Sequence, residues 1–203
     1  MIKIRTAEER DAKAIVTELR IGFHDKYAHL FCGNEELGTK LLLDYYAKVG
    51  KEYLNDHFVA TDGERVVGVI RVLFPHIKLE MPSSIFSLFH LMKKFGFLGG
   101  IKVKIGLGIA DTDEFDKDSA YIEFLCVLPE YRNQGIGSRL LDKAESFTKT
   151  RNLNKISLYV FETNNLARSL YEREGYKEVR RVSSIIAQWL LGFKTVIYMK
   201  KSI

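Results

Sequence analysis

Residues 132–137 (RNQGIG) combine a cation with two glycines directly ahead of a segment whose pattern predicts an amphipathic helix. The first N–H groups of a helix have no partner within it, and the helix dipole places partial positive charge there. Glycines let a ligand approach the backbone closely, and Arg132 adds a planar set of donors. The stretch therefore predicts a phosphate or pyrophosphate site. The alternative is a plain tight turn, because the stretch matches neither a Walker loop nor a Rossmann fingerprint.

A single carboxylate interrupts the apolar stretch just upstream. Glu123 lies within IEFLCV, residues 122–127, a pattern that predicts a buried strand. A buried charge is costly unless it is paired, so Glu123 is a candidate general base, acting directly or through water. Two structural readings stay open: Glu123 lies at an exposed strand end, or it belongs to a structural ion pair.

The first 75 residues predict a strand, two helices and a hairpin. A strand covers residues 2–5, and Thr6 is the expected N-cap of a helix over residues 8–20. Apolar residues at three- and four-residue spacing predict a second helix over residues 35–49. Asp62-Gly63 lies between two β-branched and aromatic runs, which predicts a hairpin.

The second half predicts the elements that hold the phosphate turn. A strand over residues 121–127 is followed by the turn, a helix over 138–150 and a strand over 155–161. Asn164 or Thr163 is expected to cap a short helix that Gly175 ends, and strands over 176–184 and 193–200 close the chain, with Trp189 between them. This order predicts an α/β fold of the α+β type, with helices on a mixed sheet, in one domain over residues 1–203.

Residues 75–119 are an insertion within that fold. A helix is expected around residues 85–95, followed by a glycine-rich apolar segment that carries lysines and by an acidic run over residues 111–118. The lysines interrupt the apolar run that a membrane span needs. A lid, a homodimer surface and a patch that touches a membrane all stay open for this insertion. The acidic run could attract a cationic amine, although a solvated loop is the simpler reading.

Composition narrows the classes of function. The net charge of +5 suits an anionic ligand, whereas the spread of lysines and arginines does not favour nucleic-acid binding. Two cysteines, Cys32 and Cys126, form no disulfide framework and no metal-ligand pair, and the five histidines show no metal-type spacing. We therefore expect no structural metal and a cytoplasmic protein without a secretory signal.

Two motifs together resemble the GNAT superfamily of acyl-CoA N-acyltransferases. The first is the strand over residues 122–127 followed by the turn with Arg132, Gly135 and Gly137. The second is residues 164–176 (NNLARSLYEREGY), with an asparagine, an alanine, Leu-Tyr, and a glycine followed by an aromatic residue. The resemblance implies a GNAT fold with a central sheet of about seven strands. It is tight over residues 121–179 and absent over the insertion.

The resemblance also implies how a coenzyme would bind. The pantetheine arm would pair with backbone groups of Leu125, Cys126 and Val127, whose side chains belong to the core. Asn164 would contact the coenzyme, act as an N-cap, or do both. The pyrophosphate would bind the amides of the turn, with Ser138 beside them: Arg132, Asn133, Gln134, Gly135, Ile136 and Gly137.

The implied reaction is transfer of an acyl group, most often acetyl, from acetyl-CoA to an unidentified amine. Tyr171 matches the family position that donates a proton to the departing thiolate, although it could equally be a core residue. Some family members carry the base at the position of Tyr159, which here is no carboxylate, so Glu123 is the candidate. Aromatic and histidine side chains of the first helices and their connection could line an acceptor pocket or belong to the core: Phe23, His24, Tyr27, His29, Phe31, Tyr45 and Tyr46. A non-catalytic coenzyme A-binding regulatory module is the alternative function.

Overall fold

The computed structural model describes residues 1–75, 84–110, 116, 118–185, 188 and 192–203. Trp189, Asp111, Asp113 and Glu114, which the sequence singled out, lie outside the described residues. The described part contains seven strands: β1 (Ile2–Thr6), β2 (His57–Asp62), β3 (Arg65–Leu73), β4 (Ala120–Val127), β5 (Lys155–Phe161), β6 (Lys177–Ser183) and β7 (Thr195–Ser202). It also contains six α-helices: α1 (Ala12–Gly22), α2 (His24–Leu30), α3 (Glu35–Leu54), α4 (Leu88–Ala110), α5 (Ile136–Thr150) and α6 (Asn165–Arg173).

The strands form one mixed sheet in the order β1-β2-β3-β4-β5-β7-β6. Only the β4–β5 pair among them is parallel, and α5 makes the crossover between these two strands. The other neighbouring strands are antiparallel. The predicted mixed sheet of about seven strands is confirmed.

The start of the first helix differs from the prediction. Thr6 is the last residue of β1 rather than an N-cap, and a short 3₁₀ turn over Glu9–Asp11 precedes α1. Glu8 caps that turn, because its backbone N–H donates to Oδ2 of Asp11 at 2.8 Å. Asp11 also holds the guanidinium of Arg5 at 2.6 Å. This local network moves the helix start beyond the residue that the simple capping rule selects.

Glycines bend two of the helices. Gly50, with φ 73°, interrupts α3 four residues before its end, so this element is longer than the predicted helix and has a kink. Gly96, also with φ 73°, divides α4 into two helical halves. The glycine-rich segment beyond Gly96 is therefore helical, whereas the sequence predicted a helix only around residues 85–95. The short helix α2 was also not predicted.

Each face of the sheet carries its own core. On one face α5 packs against the central strands, and the buried side chains are aliphatic or aromatic, including Leu140, Leu141, Leu158 and Ile197. On the other face α1 packs against β3 and β4, and α3 packs against α1. The second core contains Ile15, Leu41 and an aromatic group: Tyr27, Phe31, Tyr45, Tyr46 and Tyr53.

The sheet ends at β6. All seven residues of this strand are exposed, and it pairs only with β7 among the described strands. Four of its residues are charged: Lys177, Glu178, Arg180 and Arg181.

Candidate coenzyme and catalytic site

The predicted phosphate turn begins α5 at the carboxyl end of β4. A 3₁₀ turn over Pro129–Tyr131 leads into it, and Asn133 and Gly135 adopt positive φ values of 59° and 75°. The backbone N–H groups of the six residues after Arg132 have no acceptor among the described residues. These unpaired donors belong to Asn133, Gln134, Gly135, Ile136, Gly137 and Ser138.

Packing fixes the turn in place. Ile136 is buried in the core under α5, which holds the first helical residue against the sheet. A Cβ atom at Gly137 would lie 3.0 Å from Cδ2 of Leu170, so the glycine permits the close approach of α6. Gly135 has open space around the position of a Cβ, and its positive φ is the feature that favours glycine there.

Side chains of the turn brace the loop. Nε of Arg132 donates to the carbonyl of Val127 at 3.0 Å, and the amide of Gln134 donates to the carbonyl of Glu130 at 3.1 Å. The backbone N–H of Arg132 bonds to Pro129 at 3.3 Å, so it is not among the free donors that the sequence analysis expected. The hydroxyl of Ser138 donates to Glu174 at 2.6 Å, which leaves its backbone N–H as the group available to an anion.

The parallel strands β4 and β5 separate next to this turn. They pair over only three positions, the last of which joins Ile122 to Leu158. Both strands continue beyond that point, β4 to Val127 and β5 to Phe161. Over residues 123–127, the edge of β4 that faces β5 therefore carries backbone groups that have no ladder partner among the described strands. An extended ligand could pair with these groups as an added strand.

Glu123 is the extra residue of a bulge in β4. In the pairing with β3, Arg71 lies opposite Phe124 and Val72 lies opposite Ile122, so Glu123 has no opposite residue. A bulge redirects a side chain, as is common next to active sites. The Glu123 side chain is 35% exposed, and its Oε2 accepts from Nη1 of Arg71 at 2.6 Å. Among the described residues Oε1 has no partner.

An aromatic cluster buries Arg71 and so fixes the direction of Glu123. The Arg71 side chain is 6% exposed, and its guanidinium lies 4.0 Å from the centre of the Tyr53 ring. Nε2 of His57 contacts the hydroxyl of Tyr46 at 3.1 Å, and Nδ1 contacts the carbonyl of Tyr53 at 3.1 Å. Burial lowers the pKa of His57 well below its ordinary value, and the positive charge of Arg71 acts in the same direction. Because His57 is neutral, Arg71 is the positively charged group of this cluster, and it pairs with Glu123.

Tyr171 lies on the opposite face of the sheet. It is buried in the core beside Tyr176, with the ring centres 5.8 Å apart. Burial raises the pKa of its hydroxyl, and the neighbouring Cys126 adds to the shift, so the hydroxyl keeps its proton at neutral pH. A protonated phenol is the form that can act as an acid.

The sequence model of the acetyltransferase (GNAT) family matches residues 24–176. The chain belongs to this family. An N-alpha-acetyltransferase of Sulfurisphaera tokodaii is 26% identical over 143 residues, which cover 66% of this chain and 86% of the relative. The chloroplastic GCN5-related N-acetyltransferase 6 of Arabidopsis thaliana is 29% identical over 108 residues, or 51% of this chain and 38% of the relative. The chain thus spans well under half the length of this plant protein.

Solved structures share the fold. The PaiA N-acetyltransferase of Thermoplasma acidophilum, in complex with coenzyme A, superposes with a TM-score of 0.60 at 17% sequence identity. The match covers 100% of this chain and 99% of the other. At this identity the likeness establishes the GNAT fold alone, and it confirms the fold that the two sequence motifs implied.

The remaining predicted coenzyme residues of this GNAT chain lie along β4 and at the start of α6. Cys126 is buried, and Leu125 and Val127 pack against the core, as expected for residues that would offer only backbone groups. Oδ1 of Asn164 accepts from the N–H of Ala167 at 3.2 Å, which makes Asn164 the N-cap of α6. A coenzyme contact by Asn164 stays a prediction beside that role.

Glu18 is a buried acid that the sequence analysis missed. It is 3% exposed, and neither of its carboxyl oxygens has a hydrogen-bond partner among the described residues. It lies one helical turn before Gly22, where α1 crosses β4 so closely that an added Cβ would be 2.7 Å from Sγ of Cys126. Burial raises the pKa of Glu18 to about 8. The sequence did contain an indication that Glu18 is buried, because Glu18 lies three residues after Ile15 and therefore on the apolar face of α1.

The candidate acceptor residues divide between core and surface. Four of the seven aromatic or histidine side chains are buried in the second core: Tyr27, Phe31, Tyr45 and Tyr46. Phe23 lies outside that group and meets Phe161 of β5 edge-on, with the ring centres 6.4 Å apart. His24 and His29 complete the predicted set and lie on α2.

The described members of the acidic run bind lysines of the sheet. Asp116 accepts from Lys200 at 2.6 Å, and Asp118 pairs with Lys155. Both carboxylates are about half exposed, at 51% and 57%, so these surface ion pairs decide between neither of the two readings of the run. Within the described ranges, no group of three or more histidine, cysteine or acidic residues is arranged to hold a metal ion.

Proposed function

We propose that this chain transfers an acetyl group from acetyl-CoA directly to a primary amine. The observation that carries the proposal is the separation of β4 from β5 after Ile122 and Leu158. It lies next to a turn in which six backbone N–H groups have no partner among the described residues. A thioester carrier with a pyrophosphate needs both features: an extended slot for its pantetheine arm and an anion site at the end of that slot.

The pyrophosphate would accept hydrogen bonds from the N–H groups of residues 133–138. The positive end of the α5 dipole points at the same place, which favours a negative ligand. The open space around Gly135 leaves the backbone accessible. The pantetheine amides would pair with the edge of β4 over Leu125, Cys126 and Val127, where the carbonyl of Val127 also accepts from Arg132. In this arrangement the thioester would lie near the bulge at Glu123.

The proposed reaction is a direct attack. The neutral amine nitrogen forms a bond to the thioester carbonyl carbon, and the carbon–sulfur bond then breaks. Tyr171 would protonate the departing thiolate, and Glu123 would take the proton that the amine loses, directly or through water. Burial raises the pKa of Cys126, so this thiol is a poor nucleophile and no acyl-enzyme is expected.

The need for a base depends on the acceptor. Deprotonating a lysine amine at neutral pH costs about 4.6 kcal/mol, whereas an α-amino group costs about 1.4 kcal/mol. Glu123 has one oxygen held by Arg71 and a second without a partner among the described residues, so it is an oriented carboxylate. Such a group can serve either acceptor but is required mainly for lysines and polyamines. The similarity to an N-alpha-acetyltransferase supports testing α-amino groups first.

A non-catalytic coenzyme A-binding module is the second candidate. The observation that favours it is that both proposed reactive groups have structural surroundings, Tyr171 in the core and Glu123 in an ion pair. For either function we propose a cytoplasmic location, because the free thiols of Cys32 and Cys126 suit a reducing compartment.

Calorimetry with coenzyme A, followed by a thiol-release assay with acetyl-CoA, tests the proposal. The assay compares peptides with a free N-terminus, lysine peptides with a blocked N-terminus, and polyamines. Binding together with turnover on at least one amine is expected. Binding without turnover on every acceptor would favour the regulatory module, and absence of binding would contradict both functions.

A further inference from the structure

The outer side of α4 exposes large apolar side chains to water. Its inner side packs into the second core, where Leu91 and Val103 are fully buried. The outer apolar side chains have exposed fractions of 80% for Phe89, 65% for Phe97, 78% for Leu98 and 46% for Ile105. Together with two exposed lysines they form what we call the α4 outer face: Phe89, Lys93, Phe97, Leu98, Lys104 and Ile105.

The kink at Gly96 gives this face its shape. A Cβ at Gly100 would lie 2.4 Å from the backbone nitrogen of Met92, so the two halves of α4 touch each other closely. Phe97 and Leu98 directly follow the kink and form an exposed corner. Within the second half, Phe97 and Lys104 are seven residues apart, and Leu98 and Ile105 have the same spacing. Each pair therefore shares a side of the helix.

The charge of α4 has a single sign. Residues 88–110 include four lysines and neither aspartate nor glutamate. Lys94 pairs with Asp44 of α3 at 3.2 Å, which ties the first half of the helix to the protein. The other three lysines, Lys93, Lys102 and Lys104, have no acidic partner among the described residues. The described acids that follow α4, Asp116 and Asp118, are bound by Lys200 and Lys155.

We propose that the α4 outer face binds the surface of a membrane that contains anionic phospholipids. The binding of a helix in the plane of the headgroups grows with the apolar area that it buries there and with its electrostatic attraction to anionic lipids, and this face offers both. The apolar side chains enter the boundary between headgroups and acyl chains, and the lysines face the negative surface. The physical consequence is a protein that lies on the membrane rather than crossing it.

A spanning arrangement does not fit the same helix. No helix in the described part of the chain is long and apolar enough to cross a membrane. The kink at Gly96 divides α4 into two parts, and each is shorter than the ~20 residues that a span needs.

Binding to a second copy of the chain fits less well than a lipid surface. A two-fold symmetric contact places the same patch against itself, so a face whose charges are Lys93 and Lys104 would meet a second face of the same positive sign. Like charges across an interface oppose association. An anionic surface instead complements every exposed charge on this face.

Vesicle flotation of the full chain, without acetyl-CoA, tests the proposal independently of the coenzyme site. Vesicles of phosphatidylcholine alone are compared with vesicles that also contain phosphatidylglycerol. We expect the protein to float with the anionic vesicles and to be released by salt. The double variant K93Q/K104Q should bind roughly fivefold more weakly for each lysine removed. The double variant F97S/L98S should bind at least roughly tenfold more weakly.

A matched control comes from β6, which also exposes an apolar residue and a lysine. The variant V179S/K177Q likewise removes an exposed apolar side chain and an exposed lysine, but away from α4, so its vesicle binding should equal that of the unmodified chain. Thermal melting of all variants checks that they fold, which is expected because every substituted side chain is exposed.

Four results would overturn the proposal. The first is absence of binding to anionic vesicles, and the second is equal binding to neutral vesicles. The third is complete competition by soluble glycerol phosphate, which would indicate a site for a free phosphate. The fourth is a dimer in light scattering that F97S/L98S dissociates, which would assign the α4 outer face to self-association.

Discussion

The α5 side of the sheet and the α1 side bury different kinds of side chain. The α5 side is filled by aliphatic and aromatic groups such as Leu140 and Leu141. The α1 side buries Glu18, Arg71 and His57 among its apolar residues. The first face can therefore supply stability that varies little with pH, whereas the second makes stability depend on protonation. The proposed reaction uses both faces, with Tyr171 from one and Glu123 from the other.

The largest expected effect is on the apolar face. Leu140→Ala removes a fully buried side chain and should lower the free energy of unfolding by about 3 kcal/mol, because it leaves a cavity. Urea denaturation at two pH values measures the loss, which should be the same at both. The exposed Leu166 of α6 provides the control, since Leu166→Ala should change little. If the loss of unfolding free energy varied with pH, the α5 face would not be the pH-independent one.

Tyr171→Phe tests the reactive group that the apolar face contributes. Without the hydroxyl, turnover should fall roughly 100-fold, the usual range for loss of a general acid, while coenzyme A affinity stays unchanged. Tyr176→Phe is the matched control in the same core, because the Tyr176 hydroxyl bonds to Glu145 instead. Equal turnover of the two variants would show that Tyr171 is a core residue only.

Glu18→Gln tests the pH dependence of the α1 face. The pKa of Glu18 is about 8 in the folded protein against 4.5 for an ordinary glutamate, so the folded state binds the extra proton between these values. The folded state keeps this proton in a pH range where the unfolded state has lost it. The free energy of unfolding therefore falls as the pH rises from about 4.5 to about 8. The variant should be more stable than the unmodified chain at about pH 9, by a few kcal/mol since each pKa unit is worth about 1.4 kcal/mol, and nearly equal at about pH 4.

Thermal melting across this pH range measures the difference, with Glu64→Gln as the exposed control. A constant difference between Glu18→Gln and the unmodified chain at every pH would mean that Glu18 does not titrate in this window.

Glu123→Gln separates the two acceptor classes. Turnover should fall roughly tenfold or more with a lysine peptide and less with a peptide N-terminus, because the α-amino group needs less help from a base. The ratio of the two losses is the readout, since an unfolded variant would lose both equally. An equal loss with both acceptors would assign Glu123 to the ion pair with Arg71 alone.

Gly135→Ala gives the smallest expected change in stability. A non-glycine residue at φ 75° costs roughly 1 kcal/mol, and coenzyme A affinity should also fall because the methyl group enters the open space at the turn. Gly63→Ala in the β2–β3 hairpin is the control, since Gly63 also has positive φ and open space. It should lose similar stability without losing affinity. An equal loss of affinity in both variants would remove the turn from the coenzyme site.

Local chemistry explains which features the sequence could predict. Asn164 caps α6 and Gly175 follows its end with φ 89°, as the residue types indicated, because caps depend on neighbours within a few residues. The turn before α5 was predicted for the same reason. Contacts between distant residues could not be predicted from the sequence. The ion pair of Arg71 with Glu123, for example, joins residues 52 positions apart. The helical second half of α4 was missed because its glycines lower helix propensity, and tertiary packing of Val103 outweighs that.

The charged outermost strand has a consequence for how molecules of this protein meet. An unpaired strand edge invites extension by a neighbour's backbone, which is a route to fibrils. A strand of a second molecule that paired with β6 would lie beside four charged side chains and would have to displace their hydration: Lys177, Glu178, Arg180 and Arg181. At high protein concentration the molecules should therefore stay monomeric along this edge rather than join their sheets edge to edge.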